Sequence, residues 1–564
     1  MSTAGAEVQP APHGSPIHRL LPWLRPSAGR LLLAVLLGAL AIGCSVGLLA
    51  TSAWLISRAS QHPPVLYLEV AIVAVRAFGL GRGVFRYSER LVSHDAAFRT
   101  LSRLRLAVYE RLAIVAPAGI PAYRRGDLLE RLIRDVDTTQ DLPLRVLLPF
   151  ASGGVVAAAS VALAWWLLPA AGVVLLVSLL LAATAVPWIT PKSAAAGEAA
   201  SSAARGEQHA DVLTLLDGLS DLTATGAAEG WLQLLGSDEQ RLQQFWRRSA
   251  LATGIASTLG VLLSGGAVVA MLLVAVPAVA SGTLAGVNLA VLVLLPLATN
   301  EAVSAMPAAA LALGRVRGAA TRVVEVLDAV DPVPDPKQPA TALGADPQRG
   351  TPPTLLIHQV RAHWLGGPQV LSGLSLQAPG GSHLAIVGPS GVGKSTLLAV
   401  LARFLPYEGS ITLGGVELRE LAGDDVRRVI GWCPQQPHLF DSSLVENVRL
   451  ARPGCSDAEV HDALVSAGLG PWLESLPRGM NTSVGDNGAQ LSGGQRQRIG
   501  VARVLLGGHP IVLLDEPTEH LDEAGAAAAA VELLAALQGR TVLWVAHRPH
   551  GVEGMTQVRV SAGG

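Results

Sequence analysis

Nine consecutive residues, Gly388, Pro389, Ser390, Gly391, Val392, Gly393, Lys394, Ser395 and Thr396, combine three glycines with a lysine and hydroxyl side chains. Glycines at 388, 391 and 393 let backbone N–H groups converge on a polyphosphate, Lys394 can reach its β and γ oxygens, and Ser395 can offer a hydroxyl to Mg²⁺. A second set stands at the end of the apolar run IVLLDE, where Asp515 would hold Mg²⁺ through water and Glu516 would polarise an attacking water. Gln435 in CPQQPHLF is expected to sense metal and γ-phosphate, and His547 in VLWVAHR to contact the γ-phosphate. Trp364, about two dozen residues before the loop, is the candidate for stacking on adenine, with packing against a sheet as its alternative.

These residues need particular elements to hold them. LAIVG at 384–388 reads as a strand feeding the loop, and STLLAVLARF as the helix that follows, the context a phosphate loop requires. Leu491, Ser492, Gly493, Gly494 and Gln495 open a second helix, QRQRIGVARVLL. Its N-terminal N–H groups and positive dipole end suit a γ-phosphate presented by another subunit. One copy of each motif is present, so the partner is expected to be another polypeptide.

The rest of the chain is too apolar for a soluble enzyme. Of 564 residues, 50% are hydrophobic and 15% charged, with a mean hydropathy of +0.43. Net charge is −1, and the 42 basic residues include three lysines, Lys192, Lys337 and Lys394, so no nucleic-acid surface is indicated. Cys44, Cys433 and Cys455 lie far apart, which argues for reduced thiols and against a disulfide framework or a zinc site. Segments 31–57, 64–82, 148–168, 169–190, 252–280 and 284–312 are each close to the length that crosses a hydrocarbon core of ~30 Å. Arginines flank them on one side, at Arg19, Arg25 and Arg30, from Arg90 through Arg145, at Arg247 and Arg248, and after Arg315. By the positive-inside rule both termini are cytoplasmic. Long cytoplasmic segments between spans two and three and between four and five keep helical periodicity. The turn at 122–127 and the stretch 217–226 are expected as short coupling helices.

The expected organisation is a tail at 1–17, read as disordered and not as a signal peptide, then a six-helix transmembrane domain at 18–329. A Pro-rich aperiodic linker follows at 330–353, and a P-loop nucleotide-binding domain of α/β type at 354–564. A soluble chromosome-maintenance ATPase would carry coiled-coil heptads where this chain has apolar spans.

The order of spans, linker, GPSGVGKST, Gln435, LSGGQ, LLDEP and His547 resembles the ABC exporter half-transporters along nearly the whole chain. A narrower likeness rests on RGVFRYSERLVSHDAAFRTLSRLR at 82–105, RRGDLLERLIRDVDTTQDLPLRVLLP at 124–149 and EPTEHLD at 516–522. These stretches resemble the CydC subunits of the CydDC thiol-reductant transporters. The resemblance implies a heterodimer with a CydD-like half-transporter in the bacterial inner membrane, ATP- and Mg²⁺-dependent movement of cysteine or glutathione, and support of cytochrome bd assembly. It also implies a haem site, the family's SHD motif falling on His94. The chain departs from the family after His547, where 17 residues remain and the last helix of such a domain is expected to be trimmed.

Charges inside the spans are the substrate clues. Glu69 and Arg76 lie two turns apart in the second span, and Asn300 and Glu301 interrupt the sixth. Charges at membrane depth pair with one another or line a wet cavity, and a zwitterionic thiol needs partners of both signs. Both readings stand, as do two for His94: haem ligand, or a solvated or hydrogen-bonded residue at a helix end beside Arg90 and Asp95. Exporters of lipids, peptides or drugs, and a haem transporter, share every ATPase motif and remain the alternative cargoes.

Overall fold

The computed structural model describes residues 15–119, 131–189, 208, 211–212, 214–216, 218–340, 351–485, 488–518, 523–547, 552 and 554–560. The chain divides into two compact units, Val8–Ile114 with Tyr123–Ala329, and Val330–Gly564 with Val115–Ala122.

The first unit is helical. Pro16–Leu24 (α1) buries Leu20 and Leu24 and begins inside the segment expected as a tail, because Pro at the first helical positions is preorganised for a helix. There follow Ala28–Ala59 (α2), Glu69–Val115 (α3), Leu148–Leu167 (α4), Pro169–Ile189 (α5), Ala228–Ala280 (α6), Gly286–Ser304 (α7) and Met306–Asp328 (α8). Helices α2, α4, α6 and α7 occupy four of the six apolar segments, and α5 the fourth in chain order. Among the described residues four helical stretches are long and apolar enough to cross a membrane: Pro16–Ala59, Arg131–Leu167, Ser257–Ala280 and Gly286–Asp328. The expected second span is corrected: residues 65–67 form a 3-10 turn and α3 starts at Glu69, which places that carboxylate in the first turn, where the helix dipole favours it. The expected sixth span is likewise broken at Ala305, with α8 restarting just before Pro307. At 47 and 53 residues, α3 and α6 are ~70 and ~80 Å long, more than twice the hydrocarbon core.

Close contacts between α2 and α3 depend on small residues. A Cβ at Gly47 would meet the Phe78 ring at 3.0 Å, and one at Gly81 the Cys44 sulfur at 3.2 Å. Ion pairs tie other segments together: Arg19 to Asp328, Arg131 to Glu325 at 2.9 Å, and Arg322 to the buried Asp135. The turn expected at 122–127 lies outside the described residues. A six-residue helix, Leu219–Ala224, falls in the stretch 217–226.

The second unit has two sheets. Leu355–His363 (β1), Gln369–Ala378 (β2), Glu408–Leu413 (β4) and Val416–Glu417 (β5) make an antiparallel sheet in the order β2-β1-β4-β5. His383–Val387 (β3), Ile430–Cys433 (β6), Ile511–Asp515 (β7), Thr541–Ala546 (β8) and Thr556–Arg559 (β9) make a parallel sheet, β6-β7-β8-β3-β9. Strands β7 and β8 are buried at every position, as the unbroken apolar runs IVLLD and TVLWVA demand of strands covered on both faces. Helices Lys394–Leu401 (α9), Leu444–Arg449 (α10) and Gly493–Gly507 (α11) follow β3, β6 and the signature residues.

Residues 330–340, expected as part of the linker, are anchored in this unit. The buried Arg403 guanidinium donates to Asp335 Oδ1 at 3.1 Å and to the Pro334 carbonyl at 3.0 Å, Gly423 N donates to Asp335 at 2.8 Å, and Ala340 N to the Glu420 carbonyl at 2.8 Å. Proline-rich composition removes periodicity but not the carbonyls and carboxylate that a buried cation can use. Ala118, expected in the membrane domain, is buried in the core of this same unit.

Candidate functional site

The phosphate loop leaves β3 and enters α9 through backbone that requires glycine. Gly391 and Gly393 have φ of +81° and +101°, a Cβ at Gly393 would lie 2.8 Å from Leu371, and one at Gly388 would lie 2.5 Å from the Val560 carbonyl. Val560, just past β9, thus backs the loop. Ser395 is exposed at the start of α9. Lys394 is 5% exposed, and its Nζ donates to the Gly388 and Pro389 carbonyls at 2.8 and 3.1 Å.

Three of the residues expected to do chemistry meet at the carboxyl ends of the parallel strands. Asp515 is the last residue of β7, 5% exposed. Glu516 follows with φ +51°, a left-handed conformation uncommon outside glycine, and its N–H donates to the Val545 carbonyl at 3.1 Å. Its carboxylate accepts from Gln435 Nε2 at 3.1 Å and stands 3.6 Å from Lys394 Nζ. A cation, a carboxylate and an amide so placed can bind a phosphate, orient water and share a Mg²⁺ with Asp515 and Ser395, the hard oxygen donors that ion takes. His547 lies exposed just past β8. Trp364 is half-buried against the core, and its Nε1 donates to Thr396 Oγ1 at 3.3 Å, fixing the indole beside the helix that begins at the loop.

Ser492 caps α11. Its Oγ accepts from Gln495 N at 3.2 Å, and Gln495 Oε1 accepts from Ser492 N at 2.9 Å, a capping box that leaves Ser492 and Gly493 exposed with Gly494 in open space. Leu491 packs against the core. Residues 519–522 of EPTEHLD lie outside the described residues.

Sequence reasoning missed the clasp that holds Gln435 in place. Gln497 on α11 is buried, and its Nε2 donates to the Pro434 carbonyl at 3.4 Å. Arg503, two turns on, donates to the His438 carbonyl at 2.7 Å and to the Asn447 carbonyl at 2.8 Å. Asn447, 1% exposed on α10, accepts from Phe440 N and donates to the Phe440 and Ser443 carbonyls. The signal was an amide beside Leu444, Val445 and Val448, which survives burial when its hydrogen bonds are made.

In the membrane unit, Glu301 does not stand open: it pairs with Arg86 at 2.5 Å. Glu69 and Arg76 are exposed and form no ion pair among the described residues, and Asn300 is half-buried. His94 is exposed on α3, with its ring 5.9 Å from that of Phe98.

This fold and site define an ABC transporter of exporter type, an ATPase coupled to transport. The ABC transporter family model matches residues 371–519. The chain is 34% identical to the glutathione/L-cysteine transport system ATP-binding/permease protein CydC of Escherichia coli, over 97% of this chain and 95% of that protein. It is 32% identical to the CydD protein of the same description from Bacillus subtilis, over 96% and 93%. A solved bacterial Atm1-family ABC exporter with ATP bound shares the fold at a TM-score of 0.80 and 23% identity, covering 96% of this chain and 95% of that one. The chain belongs to the CydC/CydD family of ABC transporter ATP-binding/permease proteins, multi-pass membrane proteins that hydrolyse ATP.

Proposed function

We propose that this chain is one half of a heterodimer with a CydD-like subunit, moving cysteine or glutathione across the bacterial inner membrane in support of cytochrome bd assembly, with both termini and the ATPase unit cytoplasmic. The observation that carries this reading is the 34% identity to the Escherichia coli protein along nearly the whole of both chains. Lipid flippases match less than half of the chain, for example 43% of it in the lipid A-core flippase of Desulfotalea psychrophila.

In the ATPase cycle that this reading assigns, Gly388 to Thr396 cradle the phosphates and Lys394 leaves the loop carbonyls for their oxygens. Ser395, Gln435 and Asp515 would hold Mg²⁺, which would supply charge neutralisation to the phosphates. Glu516 orients the attacking water, held in place by Gln435 and its own backbone bond to β8. His547 contacts the γ-phosphate and Trp364 the base, while Leu491 to Gln495 face the nucleotide of the partner subunit. Haem belongs to the same proposal: His94 is exposed and makes no hydrogen bond or ion pair among the described residues, so its imidazole nitrogen would be free to hold the haem iron.

The test is transport of radiolabelled cysteine, glutathione and haem by the purified heterodimer in proteoliposomes, with ATPase stimulation by each. Stimulation by lipid or peptide and by none of these three would overturn the reading.

A further inference from the structure

Helix α3 carries Arg82, Arg86, Glu89 and Arg90 at the spacing i, i+4, i+7, i+8, the pattern that normally places apolar residues on one helix face. At 1.5 Å per residue, Arg82 and Arg86 lie ~20 and ~25 Å along the helix from Glu69, within the length that crosses a hydrocarbon core of ~30 Å. Guanidinium groups on that face cannot be left against lipid, so the stripe borders protein or water.

Its members are not equivalent. Arg86 is neutralised by Glu301 of α7 at 2.5 Å. Arg82 has no acidic partner among the described residues, and Glu89 no basic one. Glu89 is half-buried and points toward α2 and α4: a Cβ built on Gly38 would lie 3.5 Å from Glu89 Cγ and 3.5 Å from Ser152 Oγ. Glycine at 38 therefore lets α2 and α4 close on the stem of Glu89, with Ser152 2% exposed beside it. The Ser152 hydroxyl donates to the Leu148 carbonyl at 2.7 Å, which leaves its oxygen as an acceptor. A carboxylate and a guanidinium two turns apart, each without a counter-charge among the described residues, match a molecule carrying both an ammonium and a carboxylate.

We propose that Glu89 receives the α-ammonium of the transported molecule and that Arg82 receives its carboxylate, beside the Arg86–Glu301 pair that joins α3 to α7. This rests on the thiol-transport reading and names the chemical handle by which it selects cargo: the α-amino acid group and not the sulfur.

The experiment compares ATP-driven uptake of L-cysteine, 3-mercaptopropionate, which lacks the ammonium, and cysteamine, which lacks the carboxylate, by the heterodimer in proteoliposomes. The wild type should favour cysteine over both by roughly 10-fold or more in kcat/KM, since a site with polar groups aimed at a ligand rejects analogues that leave them unpaired. Glu89→Gln should erase the preference over 3-mercaptopropionate, Arg82→Gln the preference over cysteamine, and Glu89→Asp should retain the first. A misfolded variant would lose all three thiols together, in which case Glu89→Asp decides: loss of its preference as well overturns the proposal, and its retention supports it. Both glutamine variants keeping wild-type preferences overturns the proposal while the thiol reading stands. Failure of the wild type to move any of the three overturns the thiol reading and this inference with it.

Discussion

Gln435 Nε2 lies 3.1 Å from one carboxylate oxygen of Glu516, a residue 81 positions away. The other oxygen stands 3.6 Å from Lys394. The contact joins the segment after β6 to the end of β7, so a shift of the Gln435 segment is felt at the Glu516 carboxylate.

Glu516→Gln should preserve ATP binding and the contact to Gln435, because an amide oxygen still accepts a hydrogen bond. Turnover at this site should fall ~10²-fold or more. ATPase activity and nucleotide-binding titrations on the heterodimer, with the matching carboxylate of the partner also replaced, check this; wild-type hydrolysis would remove Glu516 from its assigned role.

Asn447→Ala should lower stability, since the N–H and carbonyls that the amide satisfies are left buried at ~1–3 kcal/mol. The Gln435 segment should loosen with it. A reduced thermal midpoint of the full chain together with lowered ATPase turnover is the expected pair of results, and an unchanged midpoint would contradict the clasp.

The subunit purified alone should hydrolyse ATP slowly, with Ser492 and Gly493 facing no nucleotide. Titration with the CydD-like partner should raise the rate steeply. Full activity in a monodisperse monomer would count against the divided site.

Arg403→Ala should free residues 330–340, because the guanidinium that binds Asp335 and the Pro334 carbonyl is lost. Faster limited proteolysis after residue 329 is the measurement, with cleavage at the wild-type rate as the contrary result.

Burial pushes the Cys433 thiol up to about 12. It therefore stays protonated across the ordinary pH range, and a maleimide at pH 8 should label the half-exposed Cys455 first and Cys433 only after denaturation. Mass spectrometry of the labelled peptides reads the order.

His94→Ala should abolish or shift a Soret band formed when haem is added to the heterodimer while leaving ATPase nearly intact, His94 lying on α3 and the ATPase residues in the other unit. An identical spectrum and affinity would make His94 an exposed, solvated side chain.

Sequence alone determined the ATPase parts and the apolar helices, for a physical reason. A phosphate loop is built from nine adjacent residues whose backbone needs glycine at set places, a capping box from residues three apart, and an apolar helix from an uninterrupted run, so each is complete within one stretch of chain. What the tertiary structure decided lies between stretches. Whether Glu301 stands in an open path or pairs with Arg86, 215 positions away, depends on how α3 and α7 pack, and no periodicity within either helix encodes it. The anchoring of Asp335 by Arg403, the burial of Asn447 under Arg503, and the meeting of Glu516 with both Gln435 and Lys394 are likewise set by which elements become neighbours. Charges in particular can satisfy one another only once the fold has brought them within reach.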